Sequence, residues 1–161
     1  LKISRKNLLY NSLVLITHKN NNIAQIDDAN SLKQVLLNSK TKISLAMTKS
    51  IPAGIYAKNY LIKINAWDEL QSKIVESVNV RAALNFVARR DLNYAIVYKS
   101  DAFASDKVKI IYFLEKEKYS DIIYPMAALN KKNNTTFLYN FLLSDYSLSI
   151  LKKWGFEIRN D

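Results

Sequence analysis

The chain contains no cysteine and a single histidine, His18. Without thiols, disulfides, zinc–thiolate sites and a cysteine nucleophile are all excluded. A Ser-His-Asp triad would have to use His18, and no G-x-S-x-G elbow accompanies it. A metal site would need ligands beyond one imidazole, and the carboxylates are scattered along the chain rather than clustered. His18 itself follows the apolar run 13–17, where a strand end facing water is the expected setting. No nucleophile–base pair or metal cluster can be assembled, so an enzyme is the weakest functional class.

Long apolar runs are missing as well. None approaches the ~20 residues that a membrane-spanning helix requires. Residues 1–11 are basic but carry no long apolar stretch ending at small residues, so they do not read as a secretory signal. There is no internal repeat and no low-complexity tract.

What is present is a globular composition, with 49% hydrophobic and 24% charged residues in 161. That length suits one ordinary domain, or one lobe plus part of another. The formal net charge of +10 invites a nucleic-acid reading. A direct nucleic-acid binder should show a contiguous basic stripe with exposed aromatics, whereas the lysines here are spread without a dense block. Basic charge can equally steer an anion toward a cleft without forming the site.

Strand-like and helix-like patterns alternate, which makes α/β the natural class. Residues 12–17 (SLVLIT), 42–47 (KISLAM), 94–98 (YAIVY), 108–113 (VKIIYF) and 122–129 (IIYPMAAL) read as strands. Pro125 marks the last as an edge or crossover strand. Ser31 can cap a short helix carrying Leu32, Val35 and Leu36. Pro52, at a first helical position, opens a helix over 53–65 with Tyr56, Tyr60, Leu61 and Ile64 as its buried stripe. Asp68 starts a shorter helix through Leu70 and Ile74, and Asn79 precedes a helical run over 80–90. Thr135 and Thr136 lead into a helix with Phe137, Leu138, Phe141 and Leu142. A final helix over 146–154 stops at Gly155.

The chemistry is concentrated where strands hand over to helices. The first turn of a helix presents unpaired backbone N–H groups and the positive end of the macrodipole. Small residues at Pro52-Ala53-Gly54 let an anion approach that backbone closely. Asn79-Val80-Arg81-Ala82-Ala83 repeats the arrangement, and residues 94–98 end in a phenol hydroxyl, a neutral donor, at Tyr98. Two helix starts and one hydroxyl converging from strand ends would make an oxyanion site. Helix starts of this kind are also common structural features, and a rim or core tyrosine is the plain alternative for Tyr98.

Asn7-Leu8-Leu9-Tyr10-Asn11, Ile51-Pro52-Ala53-Gly54-Ile55-Tyr56-Ala57-Lys58 and Ala66-Trp67-Asp68 form an ordered series of landmarks. It continues with Asn79-Val80-Arg81-Ala82-Ala83-Leu84, Ile96-Val97-Tyr98 with Ser100-Asp101-Ala102, Tyr124-Pro125 and Trp154-Gly155-Phe156. As a set these resemble the periplasmic molybdate-binding proteins, solute receptors of ABC importers, along nearly the whole chain. Two departures stand out. Ala46-Met47-Thr48 replaces a common Gly-Asp-Pro turn, and Lys99 stands where glycine is common after the tyrosine.

The resemblance implies a periplasmic-binding-protein-like α/β fold: one complete lobe with a mixed sheet flanked by helices, plus the carboxy-terminal part of the other lobe. Residues 10–124 would form the complete lobe, with 1–9 and 125–161 as crossover strands and the remaining part of the first. By motif, the anion ligands fall on the backbone N–H groups of Ala53 and Val80 and on the Tyr98 hydroxyl. The family's two serine ligands would lie upstream of this chain. The implied ligand is molybdate or tungstate, which the sequence does not separate, with no further cofactor and no catalytic residue. The implied partner is an ABC permease, at a periplasmic or extracytoplasmic location, and no nucleic acid is expected. Arg81 is expected at the surface or behind the ligands, because a buried counter-cation would cost desolvation and accept anions indiscriminately.

The rival reading is an oxyanion-sensing effector domain behind a DNA-binding helix-turn-helix, which upstream sequence would distinguish. The apolar faces carrying Phe137, Leu138, Phe141, Leu142, Ile150, Leu151 and Trp154 would lack their natural partner. They are therefore expected to self-associate, to order poorly or to fold back, and this chain alone is expected to bind the anion weakly.

Overall fold

The computed structural model describes residues 4–38 and 40–159. The chain opens with strands β1 (Ser4–Asn11) and β2 (Leu13–His18), then helix α1 (Ala29–Leu37) and strand β3 (Ile43–Ala46). Helices α2 (Pro52–Lys63) and α3 (Trp67–Leu70) lead through a 3-10 turn to β4 (Ile74–Ser77), α4 (Val80–Ala88) and β5 (Tyr94–Tyr98). The rest comprises α5 (Lys99–Phe103), β6 (Val108–Phe113), β7 (Ile122–Ala128), α6 (Asn133–Leu142) and α7 (Asp145–Lys153).

These elements form two units, one continuous over Ser12–Ser120 and one built from Leu1–Asn11 and Asp121–Asp161. The continuous unit holds a five-stranded mixed sheet in the order β4-β3-β5-β2-β6. β3 runs parallel to both β4 and β5, while β2 is antiparallel to β5 and β6. Every residue of β2 is buried, which explains why the segment reads as an unbroken apolar run rather than an alternating one. On one face Val14, Ile16, Ala95 and Val97 pack with Ala83, Leu84 and Val87 of α4. Strand alternation turns Leu13, Leu15 and Ile96 to the opposite face, where they are equally buried. α2 packs on β2, β3 and β5 and buries Ala53, Gly54, Ala57, Tyr60 and Leu61.

Several elements differ in detail from the sequence reading. α1 is capped by Asp28, whose carboxylate accepts from the Ser31 amide at 2.8 Å; Ser31 lies one turn inside. Ile74, expected to continue a helix, instead starts β4, because the helical turn ends at Lys73 and Ile74 to Ser77 pair in register with β3. Tyr56 and Ile64 of the expected stripe are only half-buried. His18 does not face water: it is 9% exposed and accepts from the Asn20 amide at 3.2 Å, with the Arg90 guanidinium beside its ring. Burial, then the positive charges of Arg90 and Lys19, hold its imidazole below the ordinary histidine range.

At the other end of this unit Tyr60 is fully buried, and its hydroxyl donates to Glu115. The same carboxylate accepts from Lys118 at 2.7 Å, and the Tyr119 hydroxyl accepts from the Leu13 amide at 3.1 Å.

In the second unit β1 and β7 pair antiparallel from Ser4↔Ala128 to Asn11↔Ile122, with a bulge between Asn7 and Leu9 near Pro125. Tyr10 and Asn11, and Ile122 to Tyr124, were expected with the larger lobe; ladder pairing keeps them here. Tyr10 also exchanges two 2.8 Å backbone hydrogen bonds with Glu157, which brings the chain's last segment alongside β1. Arg159 stands 4.2 Å from the Tyr10 ring and 3.1 Å from Asp121. α6 and α7 are both helical over the ranges given, and Gly155 closes α7 at a φ of 85°. Phe137, Leu138 and Tyr146 of these helices and Trp154 just beyond α7 are exposed.

Candidate functional site

Three strands deliver the predicted ligands to one edge of the sheet. Ile43 of β3 is opposite both Ile74 of β4 and Tyr94 of β5. β3 and β4 stay paired to their last residues, Ala46 and Ser77, while β5 pairs with β3 at Tyr94 and Ala95 and runs on to Tyr98. The helices that follow β3 and β4 hold Ala53 and Val80 in their first turns, and Tyr98 is the last residue of β5. The region outside the carboxyl ends of parallel strands is where open α/β sheets place ligands.

The turn between β3 and α2 is held to β4. Met47 N–H donates to the Ser77 carbonyl at 2.9 Å, and both the amide and hydroxyl of Thr48 donate to Glu76. These two bonds from Thr48 hold the Glu76 carboxyl below the ordinary range. Ile51 N–H then returns to the Met47 carbonyl at 3.0 Å and the helix begins. Its N-cap is Ile51, which provides no side-chain acceptor, and Pro52 at the first helical position has no N–H to satisfy. The Ala53 and Gly54 amides therefore lie in a first turn without a side-chain cap. Gly54 packs so tightly that a Cβ there would meet the carbonyl oxygens of Ala46 and, at 2.6 Å, Met47. Ala53 is buried, so an anion reaching its amide would leave bulk water.

At α4 the cap is Asn79, whose side chain accepts from the Ala82 amide at 2.8 Å. That bond serves the third helical residue and leaves the amides of Val80 and Arg81 outside the cap. Val80 packs against the cluster under α4, which fixes the first turn to the sheet. Tyr98 ends β5 opposite Leu13 and is half-exposed. The Arg81 side chain is 87% exposed, with its Nε 3.7 Å from Asp101. Burial raises the Asp101 carboxyl above its usual range, against the pull of Arg81. Among the described residues no group of three or more His, Asp or Glu side chains is placed to hold a metal ion.

The structure places Ala53 and Val80 in the first turns of the helices that follow β3 and β4, and Tyr98 at the carboxyl end of β5. Sequence reasoning missed the Thr48–Glu76 tether, because the strand that carries Glu76 was itself missed. Gly54 appeared in the sequence as a small residue permitting anion approach; its packing against β3 is a second reason for glycine there.

The chain matches the bacterial extracellular solute-binding protein family over residues 2–157. It is 34% identical over 167 residues to the molybdate-binding protein ModA of Escherichia coli (strain K12), covering 97% of this chain and 62% of that protein. The ModA protein of Haemophilus influenzae is 31% identical over 166 residues, covering 98% of this chain and 63% of its own length. Among solved structures, a substrate-binding domain assigned to a molybdenum ABC transporter of Clostridium difficile superposes with a TM-score of 0.82 at 28% identity. That match covers 97% of this chain and 67% of the other. The chain thus spans under two thirds of the length of these two ModA proteins.

Proposed function

Because the chain belongs to the bacterial extracellular solute-binding proteins, we propose that it is part of a receptor that captures molybdate or tungstate and that it carries three of the anion's donors. It would act outside the cytoplasm, hold the anion by neutral hydrogen bonds in an interlobe cleft and deliver it to an ABC permease. No turnover chemistry is involved. The observation that carries this reading is the arrival of two helix first turns, at Ala53 and Val80, and the Tyr98 phenol at the ends of three parallel strands. The molybdate relatives and the transporter domain supply the class of ligand.

Neutral donors with fixed directions suit a fully deprotonated tetrahedral dianion. They favour one anion size and leave a protonated oxygen facing a donor rather than an acceptor. Titration calorimetry with molybdate, tungstate, sulfate and phosphate tests this, on the chain and on a receptor completed with the part that the longer relatives have in addition. The completed receptor is expected to prefer molybdate and tungstate strongly, and Tyr98→Phe to cost about 1–3 kcal/mol of affinity, as for a hydrogen bond to a charged group. Equal affinity for sulfate and molybdate would make the protein a general oxyanion receptor. Unchanged affinity in Tyr98→Phe would remove that residue from the site.

A further inference from the structure

Glu76 is an acid on a strand that leads into a proposed anion donor. It is the next-to-last residue of β4, and Val80 opens the helix that follows. Like charges repel, so on electrostatic grounds a carboxylate here works against the capture of a dianion. Its ionised form is nonetheless favoured, first by the bonds from Thr48 and then by the ammonium groups of Lys49 in the turn and Lys58 on α2, against the effect of burial. The hydrogen bonds supply a use for the charge. Thr48 is buried, and both of its donors converge on one oxygen, Glu76 Oε1, the amide at 3.0 Å. Thr48 follows Met47, whose carbonyl accepts from Ile51, the N-cap of α2. The first turn of that helix has no slack. Gly54, next to Ala53, lies so close to the Ala46 and Met47 carbonyls that a Cβ would collide with both. A shift of Met47 and Thr48 is therefore passed on to the amides of Ala53 and Gly54.

We infer that Glu76 is a positioning residue of the anion site: through Thr48 it fixes the turn from which α2 starts, and so the direction of the proposed Ala53 donor, without being a ligand. The inference rests on the oxyanion reading above. Without the carboxylate, two donors on a buried residue lose their acceptor, and the turn must move to find others. Ala46-Met47-Thr48 stands in place of a Gly-Asp-Pro turn, in which the last residue has a fixed φ and no N–H to donate. Here Thr48 has that N–H, and the bond to Glu76 restrains the turn instead of a ring. The repulsion between an acid and the anion is thus outweighed by the order it gives to a neutral donor.

The test follows the amides of Ala53, Gly54, Val80 and Arg81 by 1H–15N NMR, as the 161-residue chain is titrated with sodium molybdate at neutral pH. Ionic strength is held at about 0.5 M, where charge effects beyond ~4 Å are screened and geometry dominates. Glu76→Gln removes the charge and keeps the shape, whereas Thr48→Val removes one donor and leaves the charge. Each is expected to weaken molybdate binding roughly three- to tenfold, the scale of one ordinary hydrogen bond. Each should also shrink the saturating shifts of Ala53 and Gly54 while those of Val80 and Arg81 persist. Thr48→Ser keeps both donors and should restore the parent affinity. Urea unfolding of every variant ensures that affinity is read on folded protein, and Thr48→Val carries the decision if Glu76→Gln does not fold. Parent-like or tighter binding by Glu76→Gln would overturn the inference and leave the anion site standing. Parent-like binding by Thr48→Val would do the same, as would shifts reduced equally at Ala53 and Val80, the mark of a general loosening. An absence of amide shifts in the parent would overturn the oxyanion reading itself, and this inference with it.

Discussion

A buried phenol is costly unless its hydroxyl finds a partner, and Tyr60 finds one that is charged. Its hydroxyl donates to Glu115, Lys118 donates to the same carboxylate, and the Lys118 ammonium stands 5.9 Å from the Tyr60 ring. Burial alone would push the Glu115 carboxyl up; the bonds from Lys118 and Tyr60 outweigh it and bring the group down from 4.5 to about 2. Burial and the hydrogen bond to Glu115 push the Tyr60 phenol well above its ordinary range. A carboxyl that is more acidic when folded gives stability that is fully present above its unfolded value and lost as pH falls through its folded one. Glu115 should therefore contribute to resistance against urea above pH 4.5 and lose that contribution as the pH falls toward 2. Urea unfolding of Glu115→Gln should show a less stable protein at pH 7, with a midpoint that varies less than the parent's between these limits. A parallel fall in both proteins would assign the acid sensitivity to other carboxylates.

At the scale of elements, the start of α2 is fixed by absence of a side chain. Any Cβ on Gly54 drives the helix away from the carbonyls that end β3. Gly54→Ala is expected to cost about 1–3 kcal/mol in urea unfolding, the range for forcing one extra carbon into a packed contact. A neutral result would mean that α2 can shift freely. The strands β2, β5 and β6 were legible because they are apolar along most of their length. β4 was not: its four residues include Glu76, and Leu70 with Ile74 also fits a helical period, so only pairing with β3 decides its state. The sequence points to Ser31 as the cap of α1, whereas the structure uses Asp28, three residues earlier. Ala53 and Val80 are proposed as backbone donors, so their own side chains carry no chemical signal. Pro52, Gly54 and Asn79 around them were the readable clues, and the motif resemblance supplied the rest. His18 was misplaced because an apolar run reveals a strand but not the guanidinium that packs beside its end.

At the scale of the whole chain, the two units differ in how they are covered. The unit over Ser12–Ser120 buries both faces of β2, whereas Phe137 and Phe141 of α6 and Trp154 just after α7 are exposed. Phe137 and Phe141 stack on each other at 6.4 Å, which leaves them side by side as apolar surface. Such a surface is unusual on a stable monomer. The order of segments adds a second contrast, since one unit is continuous and the other is assembled from both ends of the chain. β1 and β7 are the only covalent ways into and out of the continuous unit, and Asn11 pairs with Ile122 where they meet it. The paired strands make it an insertion cassette: its two ends emerge side by side, the arrangement that tolerates excision and transplantation. Residues 12–120 expressed alone should therefore unfold cooperatively in urea and give a dispersed amide spectrum, and failure of either would show that its stability depends on the flanking strands. A cassette of this kind carries its three proposed donors with it, so one half of the proposed anion site could be moved to a new host at a single pair of adjacent strand ends.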